Sequence, residues 1–319
     1  MNARHELFRD PVFDGATDPV LVPHEDGWLL FYTQRRATHP DPGPGVAWVH
    51  GSRIGVARSE DGAAWRYLGA LAATDDGLEL ASGALPPAAD THWAPEIIRA
   101  GDGWRMYLTE IDGIPAQWPG HARRIVEYRS DDLRRWRRIG AIPLASDRVI
   151  DAAVARCPDG RWRLWYKDEA SGSITRAAVS DDLETWADDG VAIGGRAHEG
   201  PFVFPLGGWW WMLTDEWRGM AVHRSVDALR WSRQGEADAV ILPAADGAQV
   251  GRHGAVTLLE DGARAVLAYF THPLWDGGEI AQAETLRARL SAVHLAELHV
   301  ADDALLVEDA DGKALSRVR

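Results

Sequence analysis

The sequence predicts an all-β protein, a five-bladed β-propeller with four antiparallel strands per blade. Two repeated frames and one absence predict it. The first frame is Ser-x-Asp-x-x-x-Trp, met as SEDGAAW from Ser59, SDDLRRW from Ser130, SDDLETW from Ser180 and SVDALRW from Ser225. The second is an apolar run, a Gly-containing turn and an aromatic-rich run. It recurs as DPVLVPHEDGWLLFYT, APEIIRAGDGWRMYLT, DAAVARCPDGRWRLWY, GPFVFPLGGWWWMLT and GAVTLLEDGARAVLAYF. What is absent is sustained helical periodicity; the nearest candidate, AQAETLRARL, is short.

Each element has a local reason. The apolar run is a first strand, and the turns at Asp26, Asp102, Asp159, Gly207 and Asp261 join it to the second as a hairpin. A loop then leads to a third strand, RIGVARS, RIVEYRS, ITRAAVS or GMAVHRS. The Ser and Asp that follow offer side-chain acceptors to backbone N–H groups in a tight turn, and the Trp opens a fourth strand. A degenerate fifth unit continues through LSAVHLAELHV and ALLVED. Repeated four-stranded units are the pattern of a propeller, one blade per repeat, and a two-sheet sandwich would not predict the repeated frame. Residues 1–319 thus read as one domain, with blades starting near 18, 94, 151, 199 and 253.

Composition narrows the function. The 319 residues hold 34 basic and 48 acidic side chains, a formal charge of −14. That balance argues against nucleic acid, whose phosphates need clustered Lys and Arg. No run approaches 18 apolar residues, so no membrane helix is expected. Cys157 is the one cysteine, which excludes an intrachain disulfide and a cysteine-based zinc site. MNARHELFRDP at the start holds no apolar signal core, and the expected location is cytoplasmic.

Counting eight residues back from each turn residue gives Asp18, Ala94, Asp151, Glu199 and His253. In a propeller the first strand is innermost, so this position faces one shared pocket. Three carboxylates and a histidine there, with no Lys or Arg at the equivalent positions, raise at least one pKa by mutual repulsion. Glycoside cleavage needs that division: one protonated carboxyl for the leaving oxygen and one ionised carboxylate to activate water. Antiparallel geometry brings the loops between second and third strands to the same face. The longest are RRATHPDPGPGVAWVHGS and IDGIPAQWPGHAR.

The set ATDPV around Asp18, HWAPEI at 92–97, VIDAAV around Asp151, HEGPFVF around Glu199 and GRHGAV around His253 resembles glycoside hydrolase family 43 and its five-bladed relatives. The resemblance implies inverting, exo-acting hydrolysis of a furanoside or xyloside in an oligosaccharide or other glycoside. It makes Asp18 the general base, Glu199 the general acid and Asp151 the carboxylate that tunes the acid and orients the sugar. His198, beside Glu199, is an alternative acid, since some five-bladed relatives resemble histidine-acid enzymes. The resemblance requires no cofactor, but it allows a structural calcium in the central channel, held through water by His253. A plain hydrogen bond from His253 to substrate or to Asp151 is the alternative. Arg252 and Glu96 join the substrate-binding candidates. FRDP at 8–11 is similar to an invertase-type motif but precedes the first blade, and is set aside as a decoy.

Three rivals carry their own requirements. A sialidase-like enzyme needs three converging arginines. A glycoside phosphorylase needs basic groups for phosphate, for which Arg35, Arg36 and Arg252 are available. A non-catalytic carbohydrate-binding propeller has no need of three axial carboxylates. HExxH, GxSxG and a phosphate loop are missing from the sequence.

The 16 tryptophans divide by position. Four lie in the Ser/Asp turns and seven in or beside second strands, as packing units. The others, Trp48, Trp93, Trp118, Trp217 and Trp275, fall in loops of the catalytic face, where an indole can stack on a sugar. Trp93 is the first choice for the pocket wall and Trp48 the second.

Overall fold

A computed structural model describes residues 5–25, 27–245, 249–259, 262–275 and 285–309. The expected turn residues Asp26 and Asp261 lie outside this set. The described chain is mostly strand with almost no helix. Its first unit comprises β1 (Ala16–His24), β2 (Gly27–Gln34), β3 (Arg53–Ser59) and β4 (Arg66–Ala73), followed by β5 (Gly77–Ala81). The second has β6 (Thr91–Ala100), β7 (Gly103–Ile111), β8 (Arg124–Ser130) and β9 (Arg135–Ala141). The third has β10 (Val149–Arg156), β11 (Trp162–Asp168), β12 (Ile174–Ser180) and β13 (Ala187–Ile193). The fourth runs β14 (Glu199–Leu206), β15 (Trp209–Asp215), β16 (Met220–Ser225) and β17 (Ser232–Arg233). The fifth holds β18 (Arg252–Leu258), β19 (Arg264–Thr271), β20 (Ala292–Ala301) and β21 (Ala304–Asp309). One helical turn, α1 (Leu286–Arg289), falls within AQAETLRARL, whose residues 281–284 are outside the described set.

Units three to five are separate four-stranded antiparallel sheets. The first two units depart from the expected pattern of four strands apiece. They merge into one nine-stranded sheet, because β5 pairs with β4 on one edge and β9 on the other. Leu78 and Leu80 of β5 tuck into the core around Trp136, which gives this extra strand its reason. The first strands pack in a closed circuit: β1 on β6, β6 on β10, β10 on β14, β14 on β18, and β18 on β1. Phe8 bridges to Val293 at the start of β20, so the N-terminal segment ties the last unit to the first. Asp10 of the FRDP segment is buried as an acceptor for Tyr32 Oη and Gln34 Nε2, both at 2.7 Å.

The repeated turn has the structure its residues dictate. Ser59, Ser130, Ser180 and Ser225 each donate Oγ–H to the Asp two residues on, at 3.0, 3.2, 3.1 and 2.8 Å. The same Oγ accepts the N–H of Gly62, Leu133 and Leu183, residues held in the left-handed region. The turn tryptophan then crosses to the preceding unit. Trp136 meets Phe31 edge-on at 6.2 Å, Trp186 meets Tyr107 at 6.2 Å, and Trp231 meets Trp165 at 6.3 Å. Each frame thus closes its own turn and staples its unit to a neighbour. Trp136 is fully buried, and its replacement by Ala would cost about 3–5 kcal/mol.

Candidate active site

Every first strand carries a register break near its start. It lies between Thr17 and Val20, Trp93 and Glu96, Ile150 and Ala153, Glu199 and Phe202, and Arg252 and Gly254. Four of the bulges hold a residue in the left-handed region: Asp18, Ala94, Asp151 and Gly200. The equivalent of Asp18 and Asp151 in the fourth unit is therefore Gly200, and Glu199 stands one residue earlier. The count from the turn is off by one there, because the hairpin is Gly207–Gly208 and its second residue is the true reference. At Gly200 a side chain is excluded twice, by its φ of +56° and by the ring of His253, into which a Cβ would run. Opposite each residue that precedes a bulge stands the end of a second strand: Thr33, Thr109, Lys167, Asp215 or Phe270.

Those positions bind the circuit together. Thr33 Oγ1 accepts the N–H of Ala94 at 2.8 Å, Thr109 Oγ1 that of Asp151 at 3.2 Å, and Asp215 Oδ2 that of His253 at 2.9 Å. Lys167 has no acceptor to offer, and the Gly200 N–H goes to Asp151 Oδ2 instead, at 3.0 Å. Asp151 is thus fixed by a backbone bond whichever proton it carries.

Asp18, Asp151, Glu199 and His253 line one cavity of about 430 Å³, together with Arg252 and Trp93. His253 Nδ1 lies 3.6 Å from Asp18 Oδ1. Burial opposes a charge on that imidazole, but Asp18, Asp151 and Glu199 together raise it to about 9. Burial also opposes charge on Asp18. There the charged His253 ring and the Arg35 guanidinium, 3.9 Å away, prevail and hold the carboxyl at about 2. Burial pushes Asp151 up to about 6, with Glu199 adding repulsion against the pull of His253. Glu199 goes the other way: burial raises it, but Lys167 Nζ at 3.0 Å holds it below the usual carboxylate range.

Three expected residues do not reach the cavity. Trp48 is fully buried, with the Arg289 guanidinium over its ring at 5.3 Å. His198 is buried too: Nδ1 donates to Arg196 O at 2.8 Å, and Nε2 accepts from Thr175 Oγ1 at 2.7 Å. Burial lowers its pKa, so a neutral ring with both nitrogens engaged has no proton to deliver and is corrected as a rival acid. Glu96 is buried behind the pocket, pushed up to about 8 by burial, and accepts the Val154 N–H at 3.1 Å. Of the five loop tryptophans, Trp93, Trp118, Trp217 and Trp275 line the cavity and Trp48 does not.

Sequence reasoning missed Lys167, Glu169, Phe270 and His272, all of which line the cavity. Lys167 and Glu169 stand in LWYKDEA, where β11 ends and its loop begins, so the argument that brought other loops to this face applies to them. Lys167 Nζ sits 3.3 Å from Glu169, which also pairs with Arg123. Arg36 faces elsewhere, with Nε and Nη2 on the carbonyls of His50, Pro42 and Ala47. Among the described residues two arginines then remain at the cavity, Arg35 and Arg252, short of the three that a sialidase-like site requires. Among the described residues no three His, Cys, Asp or Glu side chains converge as a direct metal site, so a channel calcium would be held by His253 only through water, the form the sequence allowed.

The profile of glycosyl hydrolases family 43 matches residues 8–236. No curated protein matches the chain. Among solved structures, a thermostable family-43 glycoside hydrolase is 20% identical with a TM-score of 0.66, and 98% of each chain is covered. A family-43 β-xylosidase/α-arabinofuranosidase from a compost microbial metagenome, in complex with xylotriose, is 15% identical with a TM-score of 0.65. The match covers 96% of this chain and 97% of that one. An α-L-arabinanase of Cellvibrio cellulosa, complexed with arabinohexaose, is 17% identical with a TM-score of 0.62, over 95% and 99% of the two chains. At these identities the likeness is one of fold.

Proposed function

This chain belongs to glycosyl hydrolase family 43 and is a glycosidase, and from that premise we propose an inverting, exo-acting enzyme for a furanoside or xyloside, built as a single five-bladed propeller. The closed circuit of five first strands supports the blade reading. Solved neighbours include a xylan β-1,4-xylosidase and the arabinanase above, which supports the sugar class.

One observation carries the mechanism: the cavity's carboxyls are held apart in pKa. Asp18, near 2, is ionised throughout the working range and takes the proton of the attacking water. Asp151 and Glu199 repel each other and retain the proton the leaving oxygen needs. Lys167 keeps Glu199 charged and Asp151 the more basic of the two. A leaving group entering beside Glu199 lets Lys167 fall back on Glu169, 3.3 Å away. Glu199, without its counter-charge, then takes up the proton and acts as the acid, while the Gly200 N–H holds Asp151 in place. His253, charged between Asp18 and its neighbours, steadies the base.

Leaving-group dependence tests the roles. Glu199→Gln keeps most of its rate on a 2,4-dinitrophenyl glycoside and loses about 10²–10⁴-fold on an unactivated one, whereas Asp18→Asn loses on both. Equal losses on both substrates for Glu199→Gln would remove it as the acid. Phosphorolysis is the second reading, favoured by the cationic side of the cavity. Strict dependence of turnover on inorganic phosphate would install it.

A further inference from the structure

The arginines at the cavity differ from the protein's other shielded arginines in one respect. Elsewhere shielded guanidiniums make at least one side-chain hydrogen bond to a fixed acceptor, even where, as in Arg233, the Nε is left over. Arg105 takes Glu127, Leu183 O and Glu184; Arg163 takes Asp159 and Asp189; Arg233 takes Glu216 and Ala239 O. Arg35 and Arg252 make no side-chain hydrogen bond among the described residues. Arg35 Nε is fully buried and unpartnered, and its nearest carboxylate, Asp18, stands at 3.9 Å, beyond hydrogen-bond reach. The side chain of Arg35 is only 17% exposed, and Arg252 only 6%.

Aromatic faces hold both in place. Arg35 lies over the Phe270 ring at 5.6 Å and Arg252 over Trp275 at 5.3 Å. Stacking of this kind fixes a guanidinium and leaves its planar fork of donors open. Asp215, which feels the charge of Arg252, has both oxygens occupied by the N–H groups of Trp217 and His253. Beside them, burial and the two arginines hold His272 neutral, and its Nδ1 donates to Leu290 O at 2.9 Å. Its Nε2 is thus a lone-pair acceptor for a hydroxyl. A neutral pentose leaves such a fork to weak hydroxyl contacts, while a carboxylate matches it in shape and charge.

We propose that Arg35 and Arg252 bind the carboxylate of an acidic sugar, so that the substrate is a glycoside of a uronic acid. The inference rests on the glycosidase reading and replaces its neutral pentoside with a charged relative: a β-glucuronide is a β-xyloside with a carboxylate at C5.

The test is calorimetric binding of D-xylose, D-glucose and D-glucuronate to the whole protein, beside hydrolysis of the three matching 4-nitrophenyl β-glycosides and the α-series. Glucuronate is expected to bind about tenfold or more tightly than either neutral sugar, and its glycoside to lead in kcat/KM by a similar factor. Arg252→Gln and Arg35→Gln, each checked for an unchanged circular dichroism spectrum, should shrink that preference to about twofold. Equal binding of the three sugars, or a preference that survives both substitutions, overturns the proposal. So does inorganic phosphate that binds in the pocket while glucuronate binds no better than glucose. Glucuronate bound with no glycoside cleaved would sink the glycosidase reading and leave the carboxylate site. A xyloside cleaved as fast as the glucuronide would do the reverse.

Discussion

The cavity has two cationic walls, and they are satisfied in different ways. On the wall from β11 and β14, Lys167 lies 3.0 Å from Glu199 and 3.3 Å from Glu169, and Arg123 pairs with Glu169 as well. On the wall from β2, β18 and β19, Arg35 and Arg252 rest on aromatic rings with no acceptor in hydrogen-bond reach. Both walls cost desolvation; the first recovers it in hydrogen-bonded ion pairs, the second only through the longer Arg35–Asp18 contact at 3.9 Å. A cation hydrogen-bonded to a carboxylate spends its donors there, whereas Arg35 and Arg252 keep theirs for a partner from outside. The same residue type at the same depth can serve chemistry or recognition, and the partners decide which.

Five substitutions set the two walls against each other, the largest expected effect first. Asp18→Asn removes the ionised base and should lower kcat about 10²–10⁴-fold on every glycoside, measured by steady-state kinetics. Gly200→Ala comes next: a Cβ at φ +56° meets the His253 ring, so it should displace the group that steadies Asp18. A drop of at least about tenfold in kcat/KM, with Tm lower by several degrees, is expected.

Lys167→Met then sets wall against wall. It leaves Glu199 and Glu169 without their shared cation and should destabilise by about 1–3 kcal/mol by urea unfolding. Arg252→Met deletes an unpaired charge and should leave stability within about 0.5 kcal/mol or raise it. If both lower stability equally, the contrast between the walls is wrong.

The smallest effects are in pH profiles. The reaction needs a proton on the Asp151–Glu199 pair, so kcat/KM should fall as pH rises through about 6, the value to which Asp151 is pushed. Lys167→Met removes the charge that lowers Glu199, and this alkaline limb should move up. Asp18 near 2 puts the acid limb below the accessible range, since the base is lost only as pH falls through that value. Arg35→Gln weakens what depresses it and should bring that limb upward.

Much of this molecule was legible because its signals are local. A Ser/Asp turn is closed by residues two and three apart, so four turns could be read from spacing alone, and their tryptophans with them. Asp18, Asp151 and His253 followed from the same register. What escaped was set by distant partners. β5 joins two units because Leu78 and Leu80 find Trp136, more than fifty residues away. Lys167 meets Glu199 only because β14 sets the carboxylate across from it, and nothing in WYKDEA announces that pairing. Trp48 and His198 stood in the right loops, but packing turned both inward. Glu199 itself was identified through a count one residue off its structural register, since a Gly-Gly hairpin gives no cue to which glycine is second.

In the proposed mechanism Asp18 and Glu199 act across one anomeric carbon, base on one face and acid on the other. Proton NMR of the first-formed sugar, on the fastest aryl glycoside and before mutarotation, tests it most directly. Inverted configuration at the anomeric centre is the expected result. Retained configuration would contradict it, because it requires a covalent intermediate that this division of roles does not form.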